Sequence, residues 1–470
     1  MEKSIMEKSI IKNSTIKKTI PQKSLSMTQK QHKKKVNGQV LYCREGWISL
    51  EVSGTPYEMG FAHGRLLRRY FPQIIKVLKY VVDGLFKVSL SEYVKTCKTV
   101  FKRALNLVEW RFIKEEINGI RDGCANPNIT FDVLLAWNSV LSMSYYKEYK
   151  DKDADKSIGA GRCSAFIATG SATEKGDIIM SHNTHSDLAS GFVCNVVMHM
   201  NPSAPGSMPF VMQTSPGLVC SSADWFITSA GIVGCETTIT SVNYDADFKS
   251  GVPYFFRIRK AMEIGKTLDD YVSILEKQNA GDYPCSWLLG DINSGMIMRF
   301  ELTKTASNIS TTNNGVYYGM NSAISPEVRL LETNDYGLND PMKSTGSRNM
   351  RLQYLLLEKY NGKINLENAK KIISDHYDEG TSQYRMGFRG ICKHRESEDN
   401  NEFSLSGATD GKVVNSEMAR KMEFMGIFGS SCGRPFKRKD YTKKVEKSKE
   451  SKFWKDALQD VPKYDWTVLH

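Results

Sequence analysis

The chain has 470 residues, 40% of them hydrophobic and 25% charged, with 35 Gly and 14 Pro, a composition that excludes collagen-like, coiled-coil and wholly disordered proteins. No apolar run nears the roughly 18 residues of a transmembrane helix. The net charge of +12 sits at the two ends: ten Lys against Glu2 and Glu7 give residues 1–41 a charge of +8, and ten Lys and Arg against Asp440, Glu446 and Glu450 give residues 434–455 a charge of +7. The body between is left slightly acidic, which argues against nucleic acid as a partner, since a groove-reading protein concentrates charge on a folded face.

Residues 1–36, with MEKSI twice and a run of lysines, read as a disordered basic tail. They lack the 7–15-residue apolar stretch of a signal peptide, which favours a reducing, cytoplasmic compartment. The ten Cys contain no CxxC pair and no Cys/His cluster at zinc-finger spacing. Free thiols and no metal site are therefore expected. The basic ends leave peripheral contact with an anionic membrane open.

Order is expected from about Val36. GQVLYCREGWISLEVSG alternates as a strand, GTPYEMGFAHG turns into a helix, and residues 65–150 carry apolar positions at three- and four-residue spacing. Residues 37–162 thus form a mostly helical N-terminal region. After the polar loop EYKDKDADKSIGAGR the period changes to two. CSAFIATGSATEKGDIIMSHNTH reads as a hairpin, and strands follow at VCNVVMHM, FVMQT, WFITS, GIVGCETTI, SWLLGD, MIMRFELT and GVYYGMN. Helices are expected at 253–278, 347–358 and 366–376. Strands in the middle with helices in blocks favour an α+β layered fold, with residues 163–436 as its main domain and 437–470 as a basic C-terminal extension.

Cys163 opens the strand-rich region directly after a charged loop. Cleavage before it would place a thiol and a free α-amine on one residue. With reference pKa values of about 8.5 and 7.7–8.0, the amine can take the thiol's proton near neutral pH without a separate histidine. Spacing alone does not distinguish this from a small buried Cys at a strand start.

GRCSAFIATGSATEKGDIIMSHNTH resembles the nucleophile strand and hairpin of the cysteine N-terminal-nucleophile (Ntn) hydrolases, particularly the acyl-coenzyme A:6-aminopenicillanic acid acyltransferase family and the related phospholipase B-like proteins. Similar motifs continue in order at GTPYEMGFAHG, GIVGCETTI, SWLLGDINSG, YYGMNSAIS, GSRNMRLQYLLLEK, IISDH, GICKH and GSSCGRPF, so that the resemblance spans roughly residues 45–436. It implies a four-layer αββα sandwich and a precursor that cuts itself between Arg162 and Cys163, with the two fragments remaining associated. No cofactor and no metal is implied.

By the same resemblance Asn321, in YYGMNS, is the oxyanion donor. Asn183 and His182 would orient Cys163 or its amine. In the acyltransferase branch the comparable stretch ends in an Asp that steadies the nucleophile's amine; here His185 stands in that place, and the HNT run is closer to the phospholipase B-like branch. Glu236 and Thr237 are expected at the substrate pocket, and Ser347 and Arg348 to cap a helix or contact substrate. His182 and His185 cannot share a metal, because residues three apart on a strand face opposite sides. Asp375, His376 and His394 are read as structural, an N-terminal nucleophile needing no imidazole. The G-x-S-x-G run around Ser431 precedes RPFKRKDYTKK, where a nucleophile elbow needs a packed helix, and reads as a closing strand and turn.

Three functions are consistent with this sequence. The first is a self-processing amidase or acyltransferase acting on a small acyl amide through a Cys163 acyl-enzyme. The second is a phospholipase B-like esterase using the same thiol, and the third a binding protein that keeps the fold and never cuts itself.

Overall fold

The computed structural model describes residues 35–149, 162–335, 337–397, 405–443 and 454–470; the expected N-terminal tail and most of the loop before Cys163 lie outside them. Among the described residues, Val36–His470 form one compact unit built on two large sheets. The first runs in the order Gly38–Arg44, Trp47–Gly54, Val196–Pro202, Phe210–Thr214, Trp225–Thr228, Ile232–Thr238, Cys285–Asp291, Met296–Leu302 and Ser307–Thr312. All its pairings are antiparallel except that of Trp47–Gly54 with Val196–Pro202. The second runs Gly315–Gly319, Arg162–Gly170, Gly176–Asp187, Asp410–Asn415, Phe424–Phe428 and Thr467–Leu469, with Ser406–Ala408 also on Gly176–Asp187.

The sheets face each other, the Arg162–Gly170 strand lying across Ile232–Thr238 and Cys285–Asp291. Helices Pro56–Leu66, Tyr254–Ile264 and Leu268–Glu276 cover the first sheet, and Leu366–Ile373 covers the second. The result is a four-layer αββα sandwich, α+β in class.

Period-two alternation in the Arg162–Gly170 strand feeds two cores. Ala165 and Ile167 join the cluster that includes Val233 and Leu289 of the first sheet, while Phe166 and Ala168 join Leu352, Leu356, Ile372 and Ile373 of the outer helices. Register with the next strand sets Cys163 opposite Thr184, Ser164 opposite Asn183 and Ala165 opposite His182. One sheet face therefore carries Cys163, Thr184 and His182 toward the first sheet. The other carries Ser164 and Asn183 toward the helices.

The glycines of GTPYEMGFAHG serve packing. Gly60 and Gly64 on Pro56–Leu66 meet Gly119 and Gly123 on Arg111–Cys124 so closely that a Cβ at Gly60 would stand 2.1 Å from the Glu116 carbonyl oxygen.

Two sequence expectations are corrected here. The helix expected over 253–278 divides at Gly265, because Thr267 accepts from the Asp270 N–H while the Asp270 carboxylate accepts from the Thr267 N–H, a capping box that starts a second helix. Within the mostly helical region 37–162, the stretch expected as strand forms Gly38–Arg44 and Trp47–Gly54, which extend the same sheet as residues 196–312. Of the basic extension 437–470, the described C-terminal part is integral to the fold. Thr467–Leu469 pairs with Phe424–Phe428, Val461 bridges Phe436, and Leu458, Val461 and Leu469 are buried. Counting charge overlooked those apolar anchors. No described helix is long and apolar enough to cross a membrane.

Candidate active site

Cys163 is fully buried on the Arg162–Gly170 strand, facing the first sheet. Its Sγ and one oxygen each of Asp224 and Glu236 lie within 4.8 Å of one another. Burial, reinforced by Glu236 and Asp224, pushes the thiol well above its ordinary range; a hydrogen bond from the His185 backbone and the nearby Lys412 ammonium act in the opposite sense.

Asp224 and Glu236 hold a proton between them. The Tyr283 hydroxyl is 2.9 Å from both Asp224 Oδ2 and Glu236 Oε1, and a phenol has one hydrogen to donate. The second contact is met by a protonated carboxyl. Burial raises both acids, and the negative neighbour raises Glu236 further, well above the usual carboxylate range. Asp224 itself sits at φ +51°, a conformation Asp tolerates better than most residues.

Asn321 follows the Gly315–Gly319 strand at φ +80°. Its Oδ1 accepts from the Cys163 N–H at 2.9 Å and from Arg348 Nη1 at 3.0 Å, and its Nδ2 donates to the Thr238 carbonyl at 2.9 Å. Two donors converging on one atom fix which end of the amide is oxygen. Asn321, expected from the sequence as an oxyanion donor, turns its oxygen to the nitrogen of Cys163.

Arg348, on the buried face of the Ser344–Gln353 helix, reaches the same point from the opposite side. Nη1 donates to the Cys163 carbonyl at 2.6 Å and to Ser164 Oγ at 3.1 Å. It grips the backbone of Cys163, where the sequence suggested a helix cap or a substrate contact. Ser347 Oγ accepts from the Glu379 N–H.

Asn183 Oδ1 accepts from the Ser164 N–H at 3.0 Å, and its Nδ2 donates to the Ile373 and Ile391 carbonyls at 3.0 Å and to Ser431 Oγ at 3.2 Å. It pins the residue beside Cys163 to the helix layer. His182 Nε2 bonds the Glu236 carbonyl at 3.0 Å and His185 Nε2 the Ile391 carbonyl at 2.9 Å. The two rings point to opposite faces of the strand, as its period requires. Burial holds both well below the ordinary histidine range, hence neutral. Thr237 packs between the sheets on Gly319, where a Cβ would lie 2.2 Å from Thr237 Oγ1. The expected scissile bond is described only from its Arg162 backbone, paired with His185, and from Cys163.

Sequence reasoning passed over Asp224, Tyr283 and Lys412. Lys412, fully buried, donates to Thr184 Oγ1 at 2.8 Å and to the Ala223 carbonyl at 3.3 Å, and pairs with Asp410 at 2.9 Å. The available signal was a lysine at a core-facing position of the alternating strand Asp410–Asn415, a place where an unpaired charge is costly. Asp224 and Tyr283 carry no comparable pattern. Ser431 Oγ donates to the Ile373 carbonyl at 3.0 Å, and Asp375 makes a bidentate pair with Arg351 at 2.9 and 2.8 Å. A cavity of about 60 Å³ reaches Cys163, lined by Thr184, Ser186, Ser190, Ser222, Asn138 and Asp224 together with apolar side chains that include Val81, Trp137 and Leu218.

Residues 130–310 match the phospholipase B family model. That segment resembles phospholipase B. It contains Cys163, the whole hairpin of Arg162–Gly170 and Gly176–Asp187, Asp224, Glu236 and Tyr283, and leaves out Asn321, Arg348 and Lys412. An uncharacterized protein of Archaeoglobus fulgidus is 25% identical over 276 residues, a span of 56% of this chain and 44% of the archaeal protein; the chain thus matches less than half the length of that relative. Among solved structures, a variant of the conjugated bile acid hydrolase of Clostridium perfringens aligns over 56% of this chain and 89% of its own, at 10% identity and a TM-score of 0.34. The penicillin V acylase of Agrobacterium tumefaciens aligns over 56% and 82%, at 14% identity and a TM-score of 0.34.

Proposed function

We propose that this chain is a self-processing cysteine hydrolase of the N-terminal-nucleophile type, acting on a small acyl amide through Cys163. The observation that carries the reading is the double hold on Cys163: its nitrogen on Asn321 Oδ1, its thiol beside the Asp224–Glu236 pair. A buried cysteine that serves only packing needs neither a side-chain acceptor for its N–H nor two carboxyls next to its sulfur.

In the uncut chain the thiol proton passes to the ionised oxygen of the Asp224–Glu236 pair. Sγ adds to the Arg162 carbonyl, the C–N bond breaks, and the departing nitrogen takes a proton to become the Cys163 α-amine. Water then hydrolyses the thioester, leaving a carboxylate on Arg162. In the cut enzyme the α-amine, held by Asn321 Oδ1, takes the thiol proton in its turn. Sγ attacks the substrate carbonyl, the leaving amine collects the proton, and water resolves the acyl-enzyme. The second hydrogen of the Asn321 amide is the donor for the developing oxyanion, a contact worth about 3 kcal/mol in such sites.

A second reading, hydrolysis of an acyl ester by the same thiol, is favoured by the match to phospholipase B and by the apolar cavity walls. A panel of fatty-acyl amides and lysophospholipids separates the two.

The test is intact mass and N-terminal sequencing of the wild-type protein beside Cys163→Ala. Two associated fragments from the wild type, the larger beginning Cys-Ser-Ala-Phe, with an uncut variant, support the mechanism. A folded, uncut wild-type chain rules out self-processing and leaves a binding protein on this fold.

A further inference from the structure

Three loops outside the Cys163 site bring together four side chains, of which only Cys392 and His394 are near each other in the sequence. His376 follows the Leu366–Ile373 helix, Cys392 and His394 precede the turn at Arg395–Ser397, and Cys432 follows the Phe424–Phe428 strand. One donor atom from each lies within 4.8 Å of all the others. His394 Nε2 is 3.3 Å from Cys392 Sγ and 3.4 Å from Cys432 Sγ. A tetrahedral zinc ion, at about 2.3 Å from sulfur and about 2.0–2.1 Å from nitrogen, sets its S and N ligands about 3.6 Å apart. The cluster is already close to that geometry.

Two further observations point to an ion. His394 Nδ1 is 2.9 Å from Glu396 Oε1, the carboxylate pairing that fixes a ligating imidazole with Nε2 turned to the metal. His376 brings a ring nitrogen into the cluster and its Nε2 is buried without a hydrogen-bond partner, a cost that ligation through that atom would remove. Cys392 and His394 are buried, whereas His376 and Cys432 are partly exposed and leave a way in from solvent.

We propose that His376, Cys392, His394 and Cys432 form a zinc site. Two thiolates and two imidazoles fill all four positions of a tetrahedral ion, the closed arrangement of a structural site. Both cysteines would bind as thiolates and His394 through Nε2, its Nδ1–H donating to Glu396 Oε1, so that binding releases protons. The absence of zinc-finger spacing hid the site, because the fold and not a local motif gathers the ligands.

The ion would clasp the loops that position Asn183. The Ile391 carbonyl, adjacent to Cys392, accepts from Asn183 Nδ2 and from His185 Nε2; Ser431 Oγ, adjacent to Cys432, also accepts from Asn183 Nδ2. This inference stands independently of the hydrolase reading.

The test uses the full-length protein, expressed with added zinc and purified under a thiol reductant without chelator, with metal content read by elemental analysis and then by exchange to Co²⁺. The expected result is about one zinc per chain, falling to about a tenth or less in Cys432→Ser and in His394→Ala, with Cys43→Ser unchanged. The cobalt form should show the intense visible bands and thiolate charge transfer of a tetrahedral sulfur-ligated ion. A folded wild-type chain holding less than about a tenth of an equivalent of zinc overturns the proposal. So does a Cys392–Cys432 disulfide found by peptide mapping of the freshly isolated protein, or a cobalt spectrum unaltered in a folded Cys392→Ser/Cys432→Ser variant. The wild-type measurements need no variant to fold.

Discussion

The Cys163 N–H donates to Asn321 Oδ1 at 2.9 Å, and Arg348 Nη1 shares that oxygen at 3.0 Å while also holding the Cys163 carbonyl. The peptide nitrogen is thus held where an α-amine, which also has hydrogens to donate, would be retained after a cut.

Asn321→Ala should therefore slow self-cleavage by roughly 10²–10³-fold, the scale of losing a directed polar contact at the reacting centre. Asn321→Asp, which keeps an acceptor for both donors, should retain more activity than the alanine variant. Fragment appearance after cell-free synthesis measures both. Wild-type kinetics in Asn321→Ala would remove this contact from the mechanism.

The acid pair gives a pH prediction. Its base form appears as pH rises through the apparent pKa of the pair, so cleavage should accelerate on that rise. Asp224 contributes to the elevation of Glu236. Asp224→Asn should accordingly move the rising limb to lower pH by about one unit or more. A limb that stays in place, read from cleavage rate against pH, would assign it to another group.

Lys412 and Asp410 are both buried, and Asp410 also accepts from the Thr184 N–H and from Gln213 Nε2. Lys412→Met leaves an uncompensated carboxylate and should cost about 3–5 kcal/mol. Adding Asp410→Asn, which keeps an acceptor for Thr184, should restore a substantial part. Urea unfolding in a Cys163→Ala background, where the chain stays whole, gives the coupling.

His63 Nε2 accepts from the Gly217 N–H at 2.9 Å, and burial holds its pKa down to about 3. Its folded value lies below the unfolded 6.5, so the unfolded chain binds the extra proton first. The stability contributed is full above pH 6.5 and declines as pH falls toward 3, by about 1.4 kcal/mol per unit. His63→Gln should lose that component of the slope. The comparison uses unfolding free energies of the two chains at matched pH, because Asp187, raised to about 6, and Glu116, raised to about 7, contribute the opposite trend to both.

What the sequence determined by itself was local. Period-two alternation from Cys163 to Gly170 marked a strand with two distinct faces, three- and four-residue spacing marked the helices before it, and the change of period at residue 163 marked where the strand-rich region opens. Even the opposite orientation of His182 and His185 followed from strand geometry. Tertiary structure decided what those faces meet. Asp224 and Glu236, themselves bridged by Tyr283, reach Cys163 only because two sheets stack, and the amide of Asn321 is oriented by donors from Cys163 and Arg348, on a strand and a helix remote in sequence. The four Cys and His residues around His394 likewise converge from three loops that no spacing rule connects. Periodicity records how a residue sits on its own element. The partners that shift a pKa, orient an amide or complete a ligand set come from packing between elements, and that information is carried by the whole fold.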